Sequence, residues 1–281
     1  MSRSTVTAAD GYVIAMATHE PEEAPRAVVQ INSATGVPQR YYASFSRWLN
    51  ERGYAVVTFD YRGMGESLHG PVAKVEGTID SWGRLDAAAI THHCAARWPD
   101  LPLIGLGHSM GGQQFGLQPN VDRFERLVGV CAQSGYTGDF PEEAAPAMRA
   151  MWTSIPPLVE KHGYFPGNEV LPFKGPPGIM LSWLRWINDP NYFVEEDGSS
   201  MQPLFDRVAC PFRFIAVTDD PIAPPSAVRA LQRVYRKAAT EYVEIDPSLL
   251  GRSVGHFSFF RAENAELWQQ TTLRDLRNGD A

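Results

Sequence analysis

The stretch Leu103-Ile104-Gly105-Leu106-Gly107-His108-Ser109-Met110-Gly111-Gly112 decides how the rest of the chain is read. Leu103–Gly107 is a short apolar run of the length a buried strand takes, and a helix-start signal begins at Ser109. Gly107-His108-Ser109-Met110-Gly111 fits the pattern G-x-S-x-G. A sharp turn from strand to helix pushes one hydroxyl into solvent, and side chains two residues to either side would collide there. Both positions therefore require glycine, and Ser109 is the candidate nucleophile.

Working outward, the flanking sequence supplies a sheet to carry this turn. Thr5–Ala8 and Tyr12–Thr18 flank Asp10-Gly11, a tight-hairpin signal. Ala27–Asn32, Tyr54–Asp60, Leu103–Gly107, Arg126–Ala132, Phe212–Thr218 and Glu241–Ile245 read as strands. Helical spacing fills Gln39–Arg52, Ile79–Trp98, Pro225–Ala238 and Ala262–Arg277. Strands alternating with helices imply a mostly parallel sheet with helices on both faces. The alternation breaks between residues 136 and 206, which hold ten of the 22 prolines and eleven aromatic residues. That segment reads as an insertion, with 1–135 and 207–281 forming one catalytic core.

The chain has 281 residues, 44% of them apolar and 20% charged, as in ordinary globular proteins. A net charge of -7 excludes a basic nucleic-acid footprint. Three widely spaced cysteines show neither a disulfide framework nor a CxxC site, no apolar run is long enough to span a bilayer, and no signal-peptide core is visible. The expectation is a cytoplasmic protein without stable membrane insertion, needing neither metal nor organic cofactor. The sequence sets no oligomeric state.

A serine hydroxyl needs a base, and the base needs an orienting carboxylate. In parallel-sheet hydrolases the chain order is Ser, then Asp or Glu, then His. The strand Phe212–Thr218 runs into Asp219-Asp220-Pro221 at its C-terminal end, where open α/β sheets bind ligands. One strand later comes Gly255-His256-Phe257, with the only histidine beyond residue 162. His256 is the candidate base. Asp220, one residue further into the loop, is preferred over Asp219 as the acid, and Asp246 is set aside on strand order. Two N–H donors must face the developing oxyanion. The amide of Met110 is one, and the loop Asn32-Ser33-Ala34-Thr35-Gly36 offers the other, with Ala34 preferred and Thr35 second.

At these residues the chain resembles the α/β-hydrolase-fold superfamily. TFDYRGMGES (residues 58–67) followed by GLGHSMGG (residues 105–112) is similar to the branch of bacterial serine esterases, lysophospholipase- and monoacylglycerol-lipase-like enzymes and proline-type aminopeptidases. The resemblance covers about residues 1–135 and 207–281. It implies an eight-stranded sheet whose second strand is antiparallel, with the insertion as a helical lid, and it carries over Ser109 as nucleophile, Asp220 as acid and His256 as base. Many relatives have His-Gly in the oxyanion loop, where this sequence has Asn32-Ser33.

Other features read as structural. Asp60 and Arg62 are expected to pin the glycine loop by an ion pair, and His108 to be a packed neighbour of the nucleophile. His69 is expected in solvent, His92 and His93 point to different faces of a helix, and Glu195-Glu196-Asp197 reads as a solvated turn. Gly105-x-Gly107-x-x-x-Gly111 is a variant dinucleotide fingerprint, but it falls in a later βαβ unit and no carboxylate closes the next strand. In the lid, Trp152, Trp183, Trp186 and Tyr192 are the candidates for a substrate pocket over Ser109. The expected activity is cleavage of a carboxylic ester or thioester of an apolar acyl group, a small-molecule substrate. Acyl transfer, amide or peptide cleavage, and non-catalytic ligand binding on the same fold are the alternatives.

Overall fold

The computed structural model describes residues 1–271 of the chain. Eight strands form one sheet: β1 (Ser2–Thr7), β2 (Val13–His19), β3 (Ala27–Asn32), β4 (Tyr54–Phe59), β5 (Leu103–His108), β6 (Arg126–Val130), β7 (Phe212–Val217) and β8 (Thr240–Ile245). Their spatial order is β1-β2-β4-β3-β5-β6-β7-β8. β2 runs antiparallel to both β1 and β4, and β3 to β8 are mutually parallel. The hairpin at Asp10-Gly11 forms, with Thr7 opposite Val13 and Gly11 at a φ of 87°.

Burial follows position in the sheet. Every residue of β3, β4, β5 and β7 is buried, because helices cover both faces there. The edge strands are more open: β1 is exposed at every residue but Val6, and in β8 only Ile245 is buried. Each large apolar side chain buried in the central strands contributes about 1.5–3 kcal/mol.

The covering helices begin with α1 (Ala43–Asn50), entered through a 3-10 turn at Gln39–Tyr42. The expected helix Ile79–Trp98 is two pieces, a π-helical segment Trp82–Ala87 and then α2 (Ala88–Arg97). Widening of the helix coincides with close approach of another element. A Cβ at Gly83 would lie 2.7 Å from Gln114 Oε1 and 2.8 Å from Leu117 Cβ. α3 (Met110–Gln113) follows β5 directly.

Between β6 and β7 lie α4 (Ala145–Thr153), α5 (Ile155–His162), α6 (Pro177–Ile187) and α7 (Gln202–Phe205). α8 (Pro225–Val234) packs on β7 and β8. The closing helix is α9 (Ala265–Thr271), preceded by a 3-10 turn at Ala262–Asn264. The expected continuation over residues 272–277 lies outside the described residues.

Two expectations about loops are corrected. Asp60 does not pair with Arg62. Its carboxylate accepts from the amides of Gln39 (2.7 Å) and Glu66 (2.9 Å), which ties β4 to the loop after β3. Arg62 instead pairs with the fully buried Asp86 (2.7 Å) and with Asp10 (2.6 Å). Glu195 is not simply solvated but pairs with Arg84 at 2.5 Å, fastening the segment between β6 and β7 to the π-helical turn before α2. His69 is exposed, and its Nε2 meets the Val13 carbonyl at 2.8 Å.

Candidate active site

The parallel strands all end on one edge, and the candidate residues collect there. Ser109 follows β5, Gln133 lies just past β6, Asp219 and Asp220 lie past β7, and the Asn32–Gly36 loop leaves β3. Ser109 sits at φ 54° and ψ -120°, a conformation that costs a non-glycine residue about 1–3 kcal/mol and persists only where its surroundings enforce it. The enforcement is visible. A Cβ at Gly107 would lie 2.4 Å from the Gly112 nitrogen, and one at Gly111 would lie 2.0 Å from the Asn32 carbonyl oxygen. Both glycines of the motif are therefore needed for backbone approach. The loop after β3 rests directly on the turn that carries Ser109.

His256 Nδ1 lies 2.7 Å from Asp220 Oδ2. The other carboxylate oxygen of Asp220 accepts from the amides of Ile222 (2.8 Å) and Ala223 (2.9 Å). Burial pushes the Asp220 carboxyl up. The His256 charge and hydrogen bond, with the two amides, outweigh this and hold it below the ordinary carboxylate value. Asp219 points elsewhere. It accepts from the Ser253 hydroxyl (2.6 Å) and from the amides of Val254 (3.0 Å) and Gly255 (2.7 Å). One aspartate thus meets the imidazole, and its neighbour anchors the loop that delivers it.

Cys131, at φ 50° and fully buried, lies beside this pair. Its Sγ and one ligand atom each of Asp220 and His256 fall within 4.8 Å of one another, the one such metal-capable cluster among the described residues. The short His256–Asp220 hydrogen bond already occupies the inward nitrogen and one carboxylate oxygen. The Cys131 thiol is pushed well above its ordinary range by burial and by the Asp220 charge, so it offers a neutral S–H rather than a thiolate ligand.

The oxyanion loop departs from expectation. The Ala34 amide donates to the Tyr42 hydroxyl at 2.9 Å, so it is not available to a substrate. The next residue, Thr35, carries a buried hydroxyl without a hydrogen-bond partner. Met110 opens α3, where the first amides of a helix have no intrahelical acceptor. The sequence offered no way to choose between adjacent peptides here. The deciding group, Tyr42, lies eight residues downstream.

Lid aromatics divide into two roles. Trp186 is fully buried within the lid, with its Nε1 donating to the Val194 carbonyl at 3.0 Å and its ring against Tyr192 and Phe193. It is a lid core residue, which corrects its reading as a substrate contact. Trp152 packs edge-on against Trp183 with centroids 4.7 Å apart. Trp183 Nε1 donates to the Tyr192 hydroxyl (3.0 Å), which donates to Gln113 Oε1 (3.0 Å), and Gln113 Nε2 donates to the Gln133 carbonyl (2.7 Å). Gln133 Oε1 in turn receives a long 3.5 Å contact from Ser109 Oγ. A hydrogen-bonded path therefore joins the segment between β6 and β7 to Ser109, and Tyr192 enters it at φ 59°, strained for a bulky residue.

Sequence reasoning missed Gln113, Gln133, Tyr42 and Phe257. Only Phe257 carried a local signal, its place after His256. Its ring lies 4.8 Å from the His256 ring, and the residue is 38% exposed, an apolar surface beside the candidate base.

A strained serine between strand and helix and a histidine–aspartate pair on the same edge of an eight-stranded, mostly parallel sheet are the arrangement of the α/β-hydrolase superfamily. Within that superfamily, the family described as serine aminopeptidase, S33, matches residues 23–162 of the chain. The lysophosphatidylserine lipase of Macaca fascicularis is 29% identical over 197 residues, covering 68% of this chain and 40% of that protein. The chain thus matches well under half the length of that relative. Among solved structures, a soluble variant of the monoglyceride lipase of Saccharomyces cerevisiae superposes with a TM-score of 0.69 at 16% identity, over 96% of this chain and 94% of that one. A thermophilic esterase from Thermogutta terrifontis superposes with a TM-score of 0.63 at 18% identity, over 99% of both chains. Among the described residues no helix is long and apolar enough to cross a membrane.

Proposed function

We propose that the chain hydrolyses the carboxylic ester of a monoacyl lipid or similar apolar acyl ester through Ser109, His256 and Asp220. The observation that carries this reading is the 2.7 Å bond from His256 to the buried Asp220, on the same sheet edge as a serine held at φ 54°. With Nδ1–H committed to Asp220, the other ring nitrogen of His256 is the acceptor for the Ser109 proton. Ser109 Oγ then bonds the carbonyl carbon, and the carbonyl electron pair moves onto oxygen. The amides of Met110 and Thr35 receive that oxyanion, Thr35 replacing Ala34 because the Ala34 amide serves Tyr42. Collapse expels the alcohol, which takes the proton from His256. Water repeats the cycle on the acyl-enzyme and releases the acid.

The printed names of the relatives, a lysophospholipid lipase and a monoglyceride lipase, support a single-chain lipid ester as the substrate class. The exposed Phe257 ring beside His256 supplies apolar surface suited to an acyl chain. The test is labelling with a fluorophosphonate probe, comparing wild type with Ser109→Ala. It is paired with turnover of monoacylglycerols, lysophospholipids, p-nitrophenyl esters of graded length and an aminoacyl p-nitroanilide. Wild type labels, Ser109→Ala does not, and the long-chain monoacyl esters have the highest kcat/KM. Absence of labelling in folded wild type overturns the reading, and preference for the anilide overturns the ester assignment.

A further inference from the structure

Directly before the nucleophile, His108 is fully buried and hydrogen-bonded on both ring nitrogens. Its Nε2 lies 2.9 Å from the backbone carbonyl of His256, and its Nδ1 lies 2.9 Å from the Tyr42 hydroxyl. A carbonyl only accepts, so Nε2 carries the hydrogen. A neutral imidazole then leaves Nδ1 as the acceptor, and the Tyr42 O–H must donate to it. The Tyr42 oxygen in turn accepts the Ala34 amide at 2.9 Å. Every donor and acceptor in the chain Ala34–Tyr42–His108–His256 has one role, and none is left over. The rings are held by packing as well. Phe260 lies 5.0 Å from both Tyr42 and His108, and Tyr41 stands edge-on to Tyr42 at 5.3 Å.

The two ends of this chain lie at the proposed oxyanion loop and at the backbone of the proposed base. At one end, the Ala34 peptide is turned toward Tyr42, which fixes the peptide plane next to that of Thr35. At the other, the carbonyl of His256 is pinned, so its imidazole turns about a fixed backbone toward Asp220. We propose that His108 and Tyr42 are positioning residues that hold the oxyanion loop and the catalytic base in register with one another. This rests on the reading of Ser109, His256 and the Thr35 amide given above. Neither residue touches the substrate. Each acts through a hydrogen bond to a group that does, or to the peptide beside it.

Residues that merely fill the core would lower stability when changed and leave turnover per folded molecule intact. Positioning residues lower kcat and spare KM, because the oxyanion contact strengthens only in the transition state. Tyr42→Phe keeps the ring and removes the hydroxyl, leaving the Ala34 amide and His108 Nδ1 without their partner. The expected result is a kcat lower by about 10–100-fold with KM within about twofold, and a fluorophosphonate labelling rate that falls in parallel. His108 is tested in the same way, should Tyr42→Phe fail to fold. His108→Gln keeps a donor and an acceptor and retains more kcat than His108→Phe, again at constant KM. A folded Tyr42→Phe or His108→Phe with wild-type kcat, or a change confined to KM, overturns the proposal. Failure of wild type itself to label overturns the parent reading instead, so the two are told apart.

Discussion

His108 also makes an acid-stability prediction whose size follows from its burial. With no solvent exposure, and with the His256 charge nearby, its imidazole is pushed from the ordinary 6.5 down to about 3. In the unfolded chain the same group binds a proton below 6.5, while in the native state it stays neutral until about 3. Acid therefore favours the unfolded state. The native state carries no penalty from this group above pH 6.5, and the penalty grows as pH falls toward 3. The full span corresponds to about 5 kcal/mol, of which about 2 kcal/mol is lost between pH 7 and pH 5. At pH 5 the native imidazole is still neutral by a wide margin, so the loss down to that point depends almost entirely on the unfolded value. The assay is urea unfolding of wild type and His108→Gln at pH 7 and pH 5. The other groups around the ring, Asp220, His256, Tyr42 and Cys131, are present in both proteins. Wild type should lose about 2 kcal/mol more than the variant over this interval. An equal loss in both would show that His108 takes up its proton in the folded protein, refuting the buried neutral tautomer.

The two aspartates should separate cleanly. Asp220→Asn removes the charge facing His256 and should lower kcat by about 10³–10⁴-fold, while Asp219→Asn loosens only the loop at Ser253–Gly255 and should cost about tenfold. Steady-state turnover of a small activated ester decides, and the reverse ranking would exchange their roles. Gly111→Ala would drive a Cβ to 2.0 Å from the Asn32 carbonyl, so the oxyanion loop must move. The folded fraction should lose at least about 100-fold in kcat/KM, and a value near wild type would show that the loop shifts without consequence.

The sheet was legible because its signals are local. β-branched and apolar runs of six or seven residues, separated by glycine and proline, mark the central strands whatever surrounds them. G-x-S-x-G is legible in part for the same reason, since the collision that demands Gly107 is with Gly112, five residues on, whereas the one that demands Gly111 is with Asn32 on the neighbouring strand. The chemical types of the triad and their order along the chain were likewise present in the sequence. The register of the site was not. Asp219 and Asp220 are adjacent on one loop, and only the fold shows that the second meets His256 and the first holds the Ser253–Gly255 backbone. The partners of Arg62 were misread because Asp86, 24 residues away, is nearer in space than Asp60.

By itself, then, the sequence determined an α/β-hydrolase sheet, a serine on its central turn, and a histidine and a carboxylate at the later strand ends. Tertiary structure decided which aspartate meets His256, which peptide of the Asn32–Gly36 loop is tied to Tyr42, and which aromatics between β6 and β7 pack on one another. The physical reason is the same in each case. Residue type is a local property, whereas the direction of an N–H or a carboxylate is set by hydrogen bonds to partners far along the chain. Tyr42 turns the Ala34 amide, and Gln113 receives Tyr192 across 79 residues.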